Sequence, residues 1–471
     1  MMTLNPPSSL RCFVCVNNVA LTWKDLTQAK ESKPLEKTLV KHLQKAHVKP
    51  KVICRGCKMQ RYCSVAHLVA DRPEHKPLCQ VLRSLQKFRQ IDHPLLLHGR
   101  ISDRAMLQFV MSQLKLILWI KLARPLTPRE SQLIGNPVVC DVCFSTEALE
   151  ACKVCAGVAY CPEHLHAVKD YHSPKDCRTL ALISTPLRQL DCLKNITNFY
   201  ESSSLAKTHI VDAFFKATSL SISDNPFTNL EEYQLFATCS SFSGIASLCL
   251  ALTHISWVSN PDKAVIVYVV GATKEHLRYF DLMHLKFLFL QYPNIRHLEL
   301  VFIGKSLKQN EVTKGGFSVK NHSRTVIKRF YPLTFAQYSS CYNVDPTLIF
   351  MLQPDFIGTG KITQDLVRVL KVQNEGYEVS DWQHCLSSMV RSFGVPICYT
   401  SISKVQAMSD YTAINMVAKQ NYIAVNRAYN ITDNPYRELL PFHNPSPEDC
   451  ERIVYANNYL EVVFTSSKNH Y

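Results

Sequence analysis

From about residue 231 the chain switches repeatedly between two apolar spacings. "EEYQLFATCSSFSGIASLCLALTHI" carries helical periodicity, and "KAVIVYVVGA" is a short β-branched run of the kind buried in a parallel sheet. "TKEHLRYFDLMHLKFLFLQYP" reads as a helix, "IRHLELVFIG" as a second strand and "PTLIFMLQPDF" as a third. A helix over "DWQHCLSSMVRSFG", a strand over "VPICYTSIS" and a helix over "KVQAMSDYTAINMVAKQN" follow. Such alternation predicts a layered α/β domain over 231–465. Upstream, "VLRSLQKF" and the stretch Ala105 to Ala123 have helical spacing, so 80–139 is read as a helical spacer closed by Pro125 and Pro128. Gln108, Ser112, Gln113, Lys115 and Lys121 interrupt the Ala105–Ala123 stretch, which predicts a buried helix and no membrane span. Residues 178–230 read as a helical connector.

Composition adds two points. At 471 residues and 46% hydrophobic content, the chain suits two or three folded domains. Its net charge of +15 is uneven: residues 1–100 hold 18 Lys/Arg against 6 Asp/Glu. That basic third suits an acidic protein face or a nucleic acid. "MMTLNPPSSLRC" has no apolar signal core, so an intracellular protein is expected, nuclear or cytoplasmic before mitochondrial.

The 19 cysteines supply the candidate chemistry. In an intracellular chain, cysteines clustered in CxxC pairs indicate metal binding rather than disulfides. "CRGCKMQRYCSVAHLVADRPEHKPLC" offers Cys54, Cys57, Cys63, His67, His75 and Cys79. Six ligands are two too many for one tetrahedral zinc and two too few for two. Cys12 and Cys15 supply the missing pair. An eight-ligand pattern then recurs with Cys140, Cys143, Cys152, Cys155, Cys161, His164, His172 and Cys177. In both copies a tyrosine precedes the fifth cysteine (Tyr62, Tyr160), and seven residues separate the two histidines. Cys192, Cys239, Cys249, Cys341, Cys385, Cys398 and Cys450 lack CxxC pairing and are read as core residues.

This spacing resembles the MYND zinc finger, in which interleaved ligand pairs hold two zincs. The resemblance implies zinc on Cys12, Cys15, Cys63 and His67, and on Cys54, Cys57, His75 and Cys79. In the second copy it implies Cys140, Cys143, Cys161 and His164, then Cys152, Cys155, His172 and Cys177, for about four Zn²⁺ per chain. The implied fingers are 12–79, with a long insertion over 16–53, and 140–177. Two alternatives stay open: His42 or His47 in place of Cys12 and Cys15, and His166 in place of His164. Filled four-ligand shells stabilise folding and leave no open position for catalysis. No helix for reading bases is expected between the ligand pairs, whose ligands are read as lying on short turns. MYND modules commonly bind proline-containing peptides on a Gln and a Trp. Here those positions are Leu68 and Arg72, and Leu165 and Lys169, which favours an acidic partner.

The C-terminal region resembles that of mitochondrial splicing suppressor 51-like proteins, through "VYVVGA", "LELVFIG", "LQPDF", Trp382, "VPICYTSIS" and "AVNRAYNITDNPY". The resemblance implies a regulatory role, in gene repression or mitochondrial expression. Two enzyme classes come into question. "KNHS" (320–323) echoes the SET-domain methyltransferase site, but "RTVIKRF" follows instead of the expected residues. A Rossmann-like methyltransferase needs a glycine-rich turn after its first strand, where this chain has Gly271 alone. "GTGK" (358–361) is read as a surface turn, and Asp355, His384 and Asp410 as core or surface residues. The expected class is α+β: two zinc modules with helical spacers, then a Rossmann-like α/β domain. The expected function is a non-enzymatic adaptor recruiting a protein partner. An S-adenosylmethionine-dependent methyltransferase and an RNA-binding regulator are the alternatives.

Overall fold

The computed structural model describes residues 52–152, 155, 157–167, 170, 172–183, 235–236, 239–255, 264–307, 312–319, 322–342, 344–357, 379–444, 451 and 453–467. It is a mixed helix and strand protein with several Cys/His clusters and one large mixed sheet.

The first part begins with a short antiparallel hairpin, β1 (Val52–Ile53) and β2 (Arg61–Tyr62). Helix α1 (Val65–Arg89) follows, with Ser64 as its N-cap, the side chain accepting from His67 N. Asp71, His75, Leu78, Leu82 and Gln86 form its buried face. Asp103 caps α2 (Arg104–Leu122) by accepting from Met106 N at 2.8 Å. α2 has the length and composition to cross a bilayer. Here Leu107, Val110, Met111, Leu114 and Leu118 are buried with Leu78 and Leu82 of α1 and Leu133 and Ile134 of α3 (Pro128–Gly135). The opposite side of α2 leaves Phe109 and Ile120 exposed, so the expected buried helix is buried on one face only. Pro128 opens α3 instead of closing the helical segment, in keeping with the fixed φ and missing N–H that proline brings to a first helical position.

A second hairpin, β3 (Glu150–Ala151) and β4 (Ala159–Tyr160), is followed by a 3₁₀ turn over Pro162–Ala167 and by α4 (Pro174–Ile183). The rest of the expected connector, 184–230, lies outside the described residues. Val139 and Phe144 of this part pack against the α1–α2–α3 cluster. Leu180 and Ile183 of α4 pack with Ile453 of the C-terminal region, and α4 lies against Pro441–His443.

Among the described residues the C-terminal region forms one eight-stranded sheet. Its strands are β5 (Val265–Val270), β6 (His297–Ile303), β7 (Val312–Val319), β8 (His322–Tyr331), β9 (Leu348–Leu352), β10 (Ile397–Ser401), β11 (Ile423–Asp433) and β14 (Tyr459–Ser467). A separate ladder pairs β12 (Pro441–His443) with β13 (Ile453–Tyr455). The sheet order is β11-β14-β10-β9-β5-β6-β8-β7. β8, β6, β5, β9 and β10 run parallel, and β7 and β14 run antiparallel to their neighbours. The chain therefore moves outward from β5 to β6 and β8, then returns to the other side of β5 for β9 and β10.

Both faces of the sheet are covered, which is why the strands read as unbroken apolar runs. Val265, Val267 and Val269 face one cluster with α5 (Ser243–His254) and α7 (Leu282–Gln291). Tyr268 and Val270 face the other, with α8 (Phe335–Cys341), α9 (Val379–Val390) and α10 (Lys404–Gln420). The expected single helix over residues 273–293 is broken into α6 (Lys274–Leu277), a 3₁₀ turn at Arg278–Phe280, and α7. The β7–β8 hairpin was not expected. It accounts for "KNHS", whose His322 and Ser323 simply open β8.

Candidate metal centres

The hairpins and the helices after them gather the ligands. In the first module Cys54 N donates to Gln60 O and Lys58 N to Cys54 O, folding Cys54–Cys57 into a tight knuckle with Lys58 at φ 59°. In the second, Phe144 N donates to Cys140 O, with Phe144 at φ 60°, and Cys152 N donates to Val158 O as Cys54 N does to Gln60 O. The two hairpins share one register: Val52 pairs with Tyr62 as Glu150 pairs with Tyr160. Gly56 must lack a side chain, because a Cβ there would stand 2.7 Å from Cys79 Sγ.

Among the described residues three groups of four donors form: Cys54, Cys57, His75 and Cys79; Cys140, Cys143, Cys161 and His164; Cys152, Cys155, His172 and Cys177. Within each, the ligand atoms lie within 4.8 Å of one another. A tetrahedral zinc separates two thiolate sulfurs by about 3.8 Å and a sulfur from an imidazole nitrogen by about 3.5 Å. The observed separations fit: 3.6 Å for Cys54–Cys79, and 3.8 Å for both Cys152–Cys177 and Cys143–Cys161. Cys57–His75 Nε2 and Cys155–His172 Nε2 are each 3.4 Å apart. No disulfide competes among the described cysteines. Each group can hold one zinc, and several zincs per chain follow.

Electrostatics point the same way. Hydrogen bonds from Cys57 and Cys79 drive the Cys54 thiol far below its usual range, while those with Cys54 and Cys79, and then burial, drive Cys57 well above it. Burial works against a charged His75, but hydrogen bonds with Cys54 and Cys79 outweigh it and raise this imidazole to about 9. His172 rises to about 10 in the same way, through Cys152 and Cys155. Three thiols in so small a volume cannot all ionise without a cation, and zinc supplies the charge that lets them.

His67, His75 and Cys79 all sit on α1, a correction to the expectation that the ligands lie on short turns. The signal was their spacing, since His67, Asp71, His75 and Cys79 recur every fourth residue along one helix face. The helix runs through Pro73 and Pro77. Cys63 Sγ lies 3.1 Å from His67 Nδ1, so the expected fourth centre is half present. Its expected partners Cys12 and Cys15, and the alternatives His42 and His47, lie outside the described residues. In the second module His164 joins the donors, 3.2 Å from Cys161 Sγ, while His166 is exposed. Leu68 is half-buried, Arg72 and Leu165 are exposed, and Lys169 is outside the described residues. Of the cysteines read as core, Cys239, Cys249, Cys385 and Cys398 are buried. Cys341 is exposed at the end of α8, while Cys192 and Cys450 are outside the described residues. Asp410 is a core residue, accepting from Phe356 N at 2.8 Å and Ser401 Oγ at 3.2 Å, whereas His384 is exposed and Asp355 is half-buried.

The family model of the MYND finger matches residues 42–79, and this segment is a MYND zinc finger, a fold class that mediates protein–protein interaction. The matched span takes in His42 and His47 and leaves out Cys12 and Cys15. No curated protein and no solved structure matches the chain.

Proposed function

We propose that the chain is a non-enzymatic adaptor that recruits an acidic protein segment to the outer face of α1. The observation that carries this reading is a cationic ridge. At about 100° per residue, Arg72, Lys76, Arg83 and Lys87 fall in a sector of roughly 60°. All four are exposed. Val65 and Val69, also exposed, continue the same sector toward the helix start. The two acids of α1, Asp71 and Glu74, are both taken by Arg129 of α3. The ridge is thus left without a counter-charge among the described residues, next to apolar surface that an amphipathic acidic segment can cover.

Two further observations support a role without catalysis. Each complete metal centre has four protein ligands, the closed arrangement of a structural zinc. The strand order around β5 supports a Rossmann-like reading of the sheet, in which ligands enter beside the strand order's reversal. Here the turn after β5 is roofed: a Cβ on Gly271 would stand 2.6 Å from the Trp382 ring, which is 4% exposed and set edge-on to Phe356. The common hairpin register and ligand order support reading 140–177 as a second finger of the same kind.

The test is binding by the full zinc-loaded chain and by the variant Arg72→Glu/Lys76→Glu/Arg83→Glu/Lys87→Glu. The probes are an amphipathic Glu/Leu peptide, a 20-nucleotide uridine RNA and S-adenosylmethionine. The expected result is peptide binding that falls at least about tenfold in the variant with zinc content unchanged. Tighter binding of the RNA than of the peptide, or thermal stabilisation by S-adenosylmethionine alone, would overturn the proposal.

A further inference from the structure

The sheet carries a cavity of about 430 Å³ toward the carboxyl ends of β6 and β8, of a size typical of small-molecule sites. Its floor is aromatic. Phe302 of β6 and Phe330 of β8 are partners in the parallel ladder, and their rings stack 5.1 Å apart at 9°. Phe280 stands edge-on to Phe302 at 5.3 Å, and Leu277 and Leu307 add aliphatic wall.

Two cations line this apolar space. Lys328 lies two residues before Phe330 on the same strand, so it projects to the same face of the sheet. That face is otherwise the larger hydrophobic cluster of the domain. An ammonium there is costly unless its charge and its three donors are met. Lys328 Nζ donates to Phe280 O at 2.8 Å, and it has no ion pair among the described residues. Burial pushes this ammonium toward its neutral form, and the Asp281 carboxylate opposes that. Burial likewise pushes Asp281 toward its neutral form. Lys274 stands exposed on the lining as the second cation. With Lys274, Lys328 and Asp281 charged, the lining carries one net positive charge, which one anionic group would balance.

We propose that this cavity binds a monocarboxylate with an apolar body. The carboxylate is held by Lys328 and Lys274, and the hydrocarbon lies on the Phe302–Phe330 stack between Leu277 and Leu307. The cavity lies toward the carboxyl ends of β6 and β8, away from the roofed strand-order reversal between β5 and β9. The proposal does not rest on the adaptor reading, because the zinc modules and α1 contribute nothing to the cavity.

The probes are 4-phenylbutyrate and its uncharged counterpart 4-phenylbutan-1-ol, titrated calorimetrically into the full zinc-loaded chain. The acid should bind at least about tenfold more tightly than the alcohol, as a charge-assisted contact requires. Lys328→Met keeps an apolar stem and removes the charge, so it should reduce acid binding to the level of the alcohol. Lys274→Met, at an exposed position, should weaken the acid several-fold and provides the same test if Lys328→Met fails to fold. Lys419→Met, remote on α10, should leave binding unchanged. Equal binding of acid and alcohol by the unaltered chain, no binding of the acid, or full acid binding in both cavity variants would each overturn the proposal.

Discussion

A single histidine shows how burial turns into a pH response. His284 is 2% exposed, edge-on to Phe242, with Nε2 3.3 Å from Ser241 Oγ. Burial first, then the charges of Lys328 and Arg278, lower its imidazole to about 3. Unfolded, the same side chain titrates near about 6.5. Between these values the unfolded chain binds a proton that the folded chain refuses, so stability falls as pH falls. At pH 5 the loss is about 2 kcal/mol. His284→Gln should retain a partner for Ser241 and remove this term. Thermal unfolding at pH 7 and pH 5 should therefore show a smaller pH penalty in the variant, and equal penalties would refute the assignment. The metal ligands give a second prediction at this scale. Cys57→Ser should lower the zinc content by about one per chain by elemental mass spectrometry, since it removes one of four donors. Comparing Cys12→Ser/Cys15→Ser with His42→Ala/His47→Ala then decides which pair completes the centre begun by Cys63 and His67. The pair whose loss lowers the zinc count holds the ion, and the other leaves the count unchanged.

At the scale of the element, α1 carries two prolines in its interior, each of which costs about 3 kcal/mol relative to alanine in an ordinary helix. His75 and Cys79 bracket Pro77 and share one donor group with Cys54 and Cys57, so a zinc held there would clamp the helix across the proline. Removing zinc with a chelator should reduce the helical circular dichroism signal. Pro73→Ala/Pro77→Ala, at exposed positions, should retain more of that signal after chelation, and an identical loss would show that the prolines are not what zinc overcomes. The same helix shows where reading the chain stops. The fourfold spacing of His67, Asp71, His75 and Cys79 suits a helix, two interior prolines disfavour one, and the spacing does not carry the metal's contribution. The strands β5, β6, β9 and β10 were legible because both faces of each are buried. β7 and β8 were not, because Gly315, Gly316, Lys328 and Arg329 break any apolar alternation. Their pairing depends on neighbouring strands. The cavity was hidden for the same reason, since Phe302 and Phe330 meet only through the β6–β8 register.

For the whole molecule, the question is whether zinc in one module is felt by the sheet. Leu180 and Ile183 of α4 share a cluster with Cys155, Val158 and Tyr160 on one side and touch Ile453 of β13 on the other. Leu182 of the same helix belongs to the main cluster of the sheet. A short helix with ligand Cys177 in its first turn thus has one face on a zinc centre and another on the C-terminal region. Loss of the centre should loosen α4 and, through it, the β12–β13 ladder that pairs Phe442 with Val454. The first module's cluster includes no described residue of the C-terminal region and reaches only Val139 and Phe144 of the second module, a longer route. Amide hydrogen exchange should therefore separate the two modules. Cys155→Ser should speed exchange in residues 174–183 and in the β12–β13 ladder, whereas Cys57→Ser should speed exchange in α1 and leave that ladder protected. If both variants leave β12–β13 unchanged, the second centre is mechanically isolated from that ladder. If Cys155→Ser alone exposes it, the second zinc module is a structural support of the C-terminal region.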